Sequence, residues 1–463
     1  MSLATLSCVR VAFDAAALGP DDGAMTSLPP GPRSTLLTTF NVARAPLRAM
    51  AAARARYGDP FTMTTLNGAV VATAEPELIR EIFTNKDPDL FDTFANAALT
   101  PFVGARSLLL LTGEDHRRER KLLTPPFHGE RMRSYGRSIV DATRAAFAAL
   151  TPGREFRALD VGQRISLEVI VRAVFGVEEP ARVSAMMAAV RELMDAALPI
   201  FMFGTAFHRA PLGLGPWARY LRRSERVDRL LFEQIERARA SAGERDDILS
   251  LMLAARYDDG AAMSDAELRD ELRTLLIAGH ETTAVTLAWA LDHVHRDEAV
   301  RSRLLADLDA LGDGAPDELA RLPLLGAVID ETLRLSPVVE VVFRKLRRPL
   351  RFAGYDLPAG VALAPAIALT HLRSDLYPDP TSFRPERMIE RRPGPFEFLP
   401  FGGGSRRCIG AALAHDEARV ALGTALREWT LALREPAPVP IVRRNLALGP
   451  KTGVRMAVVG PRR

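Results

Sequence analysis

Phe401-Gly402-Gly403-Gly404-Ser405-Arg406-Arg407-Cys408-Ile409-Gly410 is the stretch on which the reading of this chain turns. It lies between a proline-rich run and an apolar-periodic segment that reads as a helix to about Trp429, and it holds one of only two cysteines among 463 residues. Thiolates are favoured by neighbouring positive charge, by a helix N-terminus and above all by a metal. Arg406, Arg407 and a helix beginning near Ile409 therefore suit an ionised Cys408. Gly402, Gly403 and Gly404 let the backbone turn tightly and bring its N–H groups close to a bound group. The stretch reads as a metal-ligand loop with a hydrogen-bonded sulfur; the alternative is a buried structural cysteine beside a flexible loop.

The spacing F-x-x-G-x-R-x-C-x-G resembles the haem-binding loop of the cytochrome P450 superfamily. The resemblance implies that Cys408 ligates the iron of haem b (iron protoporphyrin IX), that Phe401 and Gly410 lie against the cofactor, and that Arg406 serves a propionate.

Working outward, the sequence supplies further segments of the same pattern. Ser264 to Glu267 is a capping box, and the helix it starts runs to about His295, roughly 48 Å at 1.5 Å per residue. Apolar residues surround most of this helix, so it should cross the interior. In its middle lies Ala278-Gly279-His280-Glu281-Thr282-Thr283. A mid-helix glycine costs about 1 kcal/mol against alanine, and a buried acid and hydroxyl need partners. Such local losses mark function or a kink with a threonine bonded back to a carbonyl. The hexad resembles the family's oxygen-binding segment; by that resemblance Gly279 leaves room for dioxygen, Thr282 hydrogen-bonds it and its water, and Glu281 relays protons.

Glu331-Thr332-Leu333-Arg334 falls on another helix, stopped by Pro337, where an acid and a base three apart can pair. The same motif in the family is completed by an arginine that Phe383-Arg384-Pro385-Glu386-Arg387-Met388 provides as Arg387, a trio that braces the cysteine loop. An aromatic is usual where Met388 stands. Thr112-Gly113-Glu114-Asp115 carries a capping-box pattern, and on the helix it begins His116 and Arg120 share a face. By resemblance these two, with Arg344, donate to haem propionates.

The rest is read from local pattern. Leu28-Pro29-Pro30-Gly31-Pro32 is a stiff entry. A helix over 43–57 stops at Gly58, and Phe61 to Thr65 with Ala69 to Thr73, joined by Asn67-Gly68, form a hairpin. Residues 86–111 lack periodicity and are expected to be a long binding loop or a misread element. By resemblance this is the roof of the substrate pocket, whose candidate wall is Phe94, Phe102, Val103, Phe203, Ala278, Val338, Val341 and Leu448. Residues 131–256 are largely helical in period, and the segments around 352–364 and after Trp429 read as short strands.

Composition bounds the function. Hydrophobic residues make up 48%, enough for a large core, and the net charge is only +4 with no basic run interleaved with aromatics, which argues against nucleic acid. Cys8 and Cys408 cannot form a disulfide framework, so a cytoplasmic protein is expected. No uninterrupted apolar stretch reaches the ~18 residues of a membrane helix, and no anchor is expected. Residues 1–27 read as a loose tail, with Met25 a second candidate start, and 28–463 as a single domain.

The resemblance spans 28–463 and implies a mainly α fold with a smaller β-rich region. It implies a monooxygenase acting on a lipophilic small molecule with O2, since a thiolate ligand favours heterolytic O–O cleavage. No nicotinamide, flavin or iron–sulfur motif is present, so electrons come from a ferredoxin or flavodoxin with its NAD(P)H-dependent reductase. Arg117, Arg118, Lys121, Arg407 and Arg419 are candidates to steer that donor. A monomer working in secondary metabolism is expected; the other readings are a peroxide-driven peroxygenase and a haem-based sensor.

Overall fold

In the computed structural model, which describes residues 28–93, 96–127, 131–198, 201, 207–241, 246–444 and 447–462, helices predominate and five of them position the site. These are α1 (Gly113–Leu123), α2 (Ala158–Val169), α3 (Asp265–Arg296), α4 (Pro323–Leu335) and α5 (Ala411–Glu428). The expected tail, Phe94 and Phe203 lie outside the described residues.

The long helix α3 starts where its capping box predicts: Ser264 Oγ accepts from Glu267 N at 3.3 Å and Glu267 Oε2 accepts from Ser264 N at 2.8 Å. Every residue from Thr283 to Asp292 is buried, so this half of α3 has no solvent face. The approach of α2 is close enough to exclude side chains. A methyl at Gly162 would sit 2.9 Å from Ala284 O, and one at Gly279 would sit 3.3 Å from Ile170 Cδ1. Ile170 belongs to a π-helical turn, Ile170–Val174, that continues α2.

One main apolar core runs from Phe102 to Val458 and takes in residues of α2, α3, α4 and α5. Two smaller clusters flank a five-stranded sheet. Its strands are β1 (Phe61–Thr65), β2 (Gly68–Thr73), β3 (Phe91–Asp92), β4 (Arg344–Leu346) and β5 (Ala362–Pro365), in the order β1-β2-β5-β4-β3. The β1–β2 hairpin is antiparallel with Thr65 opposite Gly68, as the Asn67-Gly68 turn predicts. β2 and β5 are parallel, and β4 is antiparallel to both β5 and β3.

Three local expectations are corrected. The helix over 43–57 is two, Thr35–Arg44 and Pro46–Tyr57, because Pro46 pushes Ala45 out of helical backbone to φ −151°, ψ 71°. Helix α1 begins as expected but Thr112 does not cap it; the Thr112 hydroxyl accepts from Arg347 Nη2 at 2.7 Å instead. The aperiodic segment 86–111 contains β3 and a helix, Asn96–Val103. Its backbone is satisfied by side chains of α3: Asp270 accepts from Arg106 N, Glu271 from Leu108 N, and Arg273 donates to Phe102 O. Buried peptide groups need partners wherever they come from, so sequence periodicity within the segment is unnecessary.

Candidate active site

The loop before α5 owes its shape to its glycines. Gly402 and Gly404 have φ of +64° and +67°, a region that disfavours other residues. Gly403 is extended, but a methyl there would lie 2.3 Å from the Phe83 ring. The three therefore permit a tight turn and a close approach to Phe83, whose role the sequence did not signal. Cys408 N closes the loop by donating to Phe401 O at 2.9 Å.

Cys408 combines two properties that rarely coincide. Its side chain is accessible, yet burial is the largest influence on its thiol and raises the pKa. A sulfur surrounded by protein and still accessible faces an interior space. The Gly410 N–H donates toward the sulfur, and Arg407 and Arg120 favour its ionisation, but burial outweighs them. Burial thus opposes the ionisation that the neighbouring arginines favour.

Around the same loop the structure gathers four donors. Arg120 donates to Arg407 O at 2.6 Å, Arg406 to Leu111 O at 2.5 Å, and Arg344 to Phe343 O at 2.9 Å. Burial is the first influence on Arg344 and Arg406 and brings each down to about 10. His116 is buried and held near pKa 3, by desolvation first and then by Arg406, Arg120 and Arg344. Among the described residues, none of these four has a carboxylate within ion-pair distance. Grouping partly desolvated cations this way is unfavourable unless an anion belongs among them.

The brace expected from the sequence is formed. Arg334 holds Glu331 through two bonds of 2.7 and 2.8 Å, and Arg387 Nε donates to Glu331 Oε1 at 3.0 Å, with Glu331 and Arg334 both 0% exposed. The trio reaches the cysteine loop through a residue the sequence did not single out. Arg334 Nη1 donates to His371 O at 2.8 Å, and His371 Nε2 accepts from Leu399 N at 2.8 Å, two residues before Phe401.

On α3, Leu275, Ala278, Gly279 and Thr282 share a face, and this face is accessible at Ala278 although Leu276 and Thr283 beside it are buried. The Thr282 hydroxyl bonds back to Ala278 O at 2.8 Å. Val338 and Leu448 are brought together, Leu448 N donating to Val338 O at 2.8 Å. Phe102, Val103, Val338 and Leu448 are buried, whereas Val341 is partly exposed. An open cleft of about 750 Å³ beside α4 and α5, lined by Pro316, Gly326, Asp330, Met388 and Arg419 among others, includes neither Cys408 nor Thr282.

Among the described residues no group of three His, Cys, Asp or Glu is placed to share a metal ion. A metal on Cys408 would therefore come with a group that supplies its other ligands, and the four donors, none with a carboxylate partner among the described residues, would suit an accompanying anion. A porphyrin with two propionates satisfies both. The comparisons agree: the cytochrome P450 family model matches residues 28–455. The chain belongs to the cytochrome P450 family. Cytochrome P450 135B1 of Mycobacterium tuberculosis is 38% identical over 440 residues, covering 93% of this chain and 91% of that protein. Cytochrome P450 138 of the same organism is 36% identical over 413 residues, covering 87% and 89%.

Solved structures share the fold. The retinoic acid-bound cyanobacterial CYP120A1 superposes with a TM-score of 0.80 at 24% identity, covering 94% of this chain and 99% of that one. The cytochrome P450DA heme domain gives 0.81 at 22% identity, covering 94% and 97%.

As a cytochrome P450 the chain is a haem b-dependent monooxygenase, an oxidoreductase. No helix among the described residues is long and apolar enough to cross a membrane. The exposed cations of α1 already have partners: Arg117 pairs with Glu114, Arg118 with Asp259 and Lys121 with Asp258.

Proposed function

We propose that this cytochrome P450 inserts one atom of O2 into a C–H or C=C bond of a lipophilic small molecule, drawing electrons from a ferredoxin or flavodoxin and its NAD(P)H-dependent reductase. The observation that carries the reading is the adjacent acid and alcohol Glu281-Thr282, partly exposed in the middle of α3 directly before the wholly buried run from Thr283 to Asp292.

Each residue has a task in this reading. Cys408 ligates the haem iron, which supplies dioxygen binding and reductive activation. His116, Arg120, Arg344 and Arg406 would hold the propionates and the three arginines would neutralise them, while Phe401 and Gly410 would lie against the macrocycle. Thr282 keeps its hydroxyl oxygen free to accept while its proton is given to Ala278 O at 2.8 Å, so it can hold a water on the site side. Glu281 passes protons toward that water. Gly279 keeps the helix face open, and its lack of a side chain also admits Ile170.

Ala278, Val341, Phe102, Val103, Val338 and Leu448, with Phe94 and Phe203, form the apolar pocket wall. An apolar wall selects by shape and desolvation, which suits a terpenoid, steroid, fatty acid or polyketide. The unit is residues 28–463, acting as a cytoplasmic monomer in secondary metabolism.

The test compares turnover driven by ferredoxin and reductase with turnover driven by peroxide alone, across a lipophilic library screened by the spectral change on ligand binding. The proposal expects reductase-driven product and a Thr282→Ala enzyme that diverts electrons to peroxide while keeping its thiolate-type carbonyl spectrum. Product from peroxide only identifies a peroxygenase, and spectral binding without product by either route identifies a sensor. An unchanged coupling ratio in Thr282→Ala removes that residue from the mechanism.

A further inference from the structure

The cleft of about 750 Å³ beside α4 and α5 falls within the ~300–1,000 Å³ of small-molecule sites, and no residue of the oxygen-binding segment or the cysteine loop lines it. Pro316, Leu322, Ala327, Met388, Ile389 and Val420 give it apolar walls. Charged groups interrupt them, and these do not cancel. Asp317 pairs with Arg321 at 3.4 Å, which leaves Asp330, Asp416 and Arg419 within the same walls, two acids and one base.

Arg419 satisfies neither acid. It comes no nearer to Asp416 than 4.0 Å, no ion pair joins it to Asp330 among the described residues, and its Nε is buried without a hydrogen-bond partner. The guanidinium is laid against α4 instead, since a methyl at Gly326 would sit 3.5 Å from Nε. Asp330 follows Gly326 by four residues and shares its face. Asp330 Oδ1 is likewise buried without a hydrogen-bond partner, although His415 Nδ1 lies 3.5 Å away. His415 is held near pKa 3, chiefly by burial, so its ring is neutral, and an Nδ1 that accepts from Arg419 Nη2 at 3.4 Å has no proton for Asp330. Burial accordingly raises Asp330, to about 6, and Asp416, against the pull of Arg419 on both and of Arg392 on Asp330. A carboxylate short of donors between apolar walls costs free energy, and a ligand that brings a charged donor offsets that cost.

We propose that this cleft is a second ligand site, distinct from the site at Cys408, for a small apolar molecule that carries a protonated amine or guanidinium. The cationic head bonds to Asp330, and the apolar body lies against Pro316, Met388 and Ile389. Two acids facing one base call for a single positive charge, and the volume exceeds what one side chain of a docked protein would fill. Occupancy of the cleft requires nothing of the reaction at Cys408.

The experiment titrates the haem-loaded protein with phenethylguanidinium by calorimetry at about pH 8, above the Asp330 value of about 6. It is repeated with phenethylurea, which has the same shape without the charge. Haem absorbance is followed in the same titrations, because a ligand entering beside Cys408 shifts it. One equivalent of the guanidinium is expected to bind with no spectral shift, and the urea to bind roughly tenfold or more weakly. Asp330→Asn should bring the guanidinium down to the affinity of the urea and leave the urea unchanged. Met388→Phe should weaken both by filling the cleft; an aromatic is usual at that position in the family, so the fold accepts it. Should Asp330→Asn not fold, Met388→Phe and the guanidinium–urea comparison decide. No saturable binding up to about 1 mM, equal affinity for the two probes, a haem shift on binding, or an affinity for the guanidinium that either variant leaves unchanged overturns the proposal.

Discussion

Arg344 shows what single residues contribute here and at what cost. It is deeply buried, donates only to carbonyls, and is brought down to about 10 by burial and by Arg406. On the proposed reading it is a liability in the haem-free protein and a charge-assisted donor once haem is bound. Arg344→Leu should therefore have opposite effects on the two forms. Loss of such a bond is worth about 1.5–3 kcal/mol, so haem transfer to an excess of competing apoprotein should become roughly ten- to a hundredfold more favourable. The haem-free variant should melt at a higher temperature than haem-free wild type, and a lower one would show that Arg344 has a counter-charge of its own. Cys408→Ala should abolish the thiolate-type carbonyl band outright. Arg344 and Arg406 were legible as site residues only through the spacing around them; their shared lack of an anionic partner is a property of the folded chain.

At the scale of elements, α4 and α2 do different work. Helix α4 holds the cysteine loop through Glu331, on which Arg334 and Arg387 both depend. Removing the acid leaves two buried cations unpaired, so Glu331→Gln should cost about 3–5 kcal/mol, seen as a large fall in the thermal midpoint and loss of haem during purification. Arg334→Lys should not rescue function, because one ammonium cannot reproduce the forked bonds to Glu331 and to His371 O. Helix α2 is held against α3 by the absence of side chains, and Gly162→Ala, with a methyl 2.9 Å from Ala284 O, should cost about 1–3 kcal/mol in a denaturant titration.

Element ends show why some local signals held and others failed. Ser264 and Glu267 cap α3 because nothing else competes for them. Thr112 has the same chemistry but its hydroxyl is claimed by Arg347, which is distant in sequence.

Across the whole molecule, buried histidines contribute to the response to acid. His371 and His415 are held near pKa 3, and His280, His293 and His295 near 4, each chiefly by desolvation against an ordinary value of 6.5. The unfolded chain takes up these protons below pH 6.5 while the folded chain refuses them until pH 3–4, so their contribution is present above 6.5 and lost as pH falls toward 4. Carboxyls that burial raises act with the opposite sign, at Glu119, Glu271, Asp292, Asp330, Asp416 and Glu417, since the fold keeps protons that the unfolded chain loses above about 4. The histidine share is therefore read one residue at a time: His371→Gln should lose less stability than wild type between pH 6.5 and 4, and an equal loss would mean that water reaches this imidazole.

The sequence by itself determined the glycine-rich cysteine loop, the long helix with its glycine, acid and alcohol, the β1–β2 hairpin and the Glu331-Arg334 pair, because each is written in residues within a few positions of one another. Only the tertiary structure decided that burial raises the Cys408 pKa against its neighbouring arginines, that a side chain at position 403 would meet Phe83, and that His371 links Arg334 to the loop. These depend on desolvation and on contacts between distant segments, and a local pattern carries no information about which remote atom will fill the space beside it.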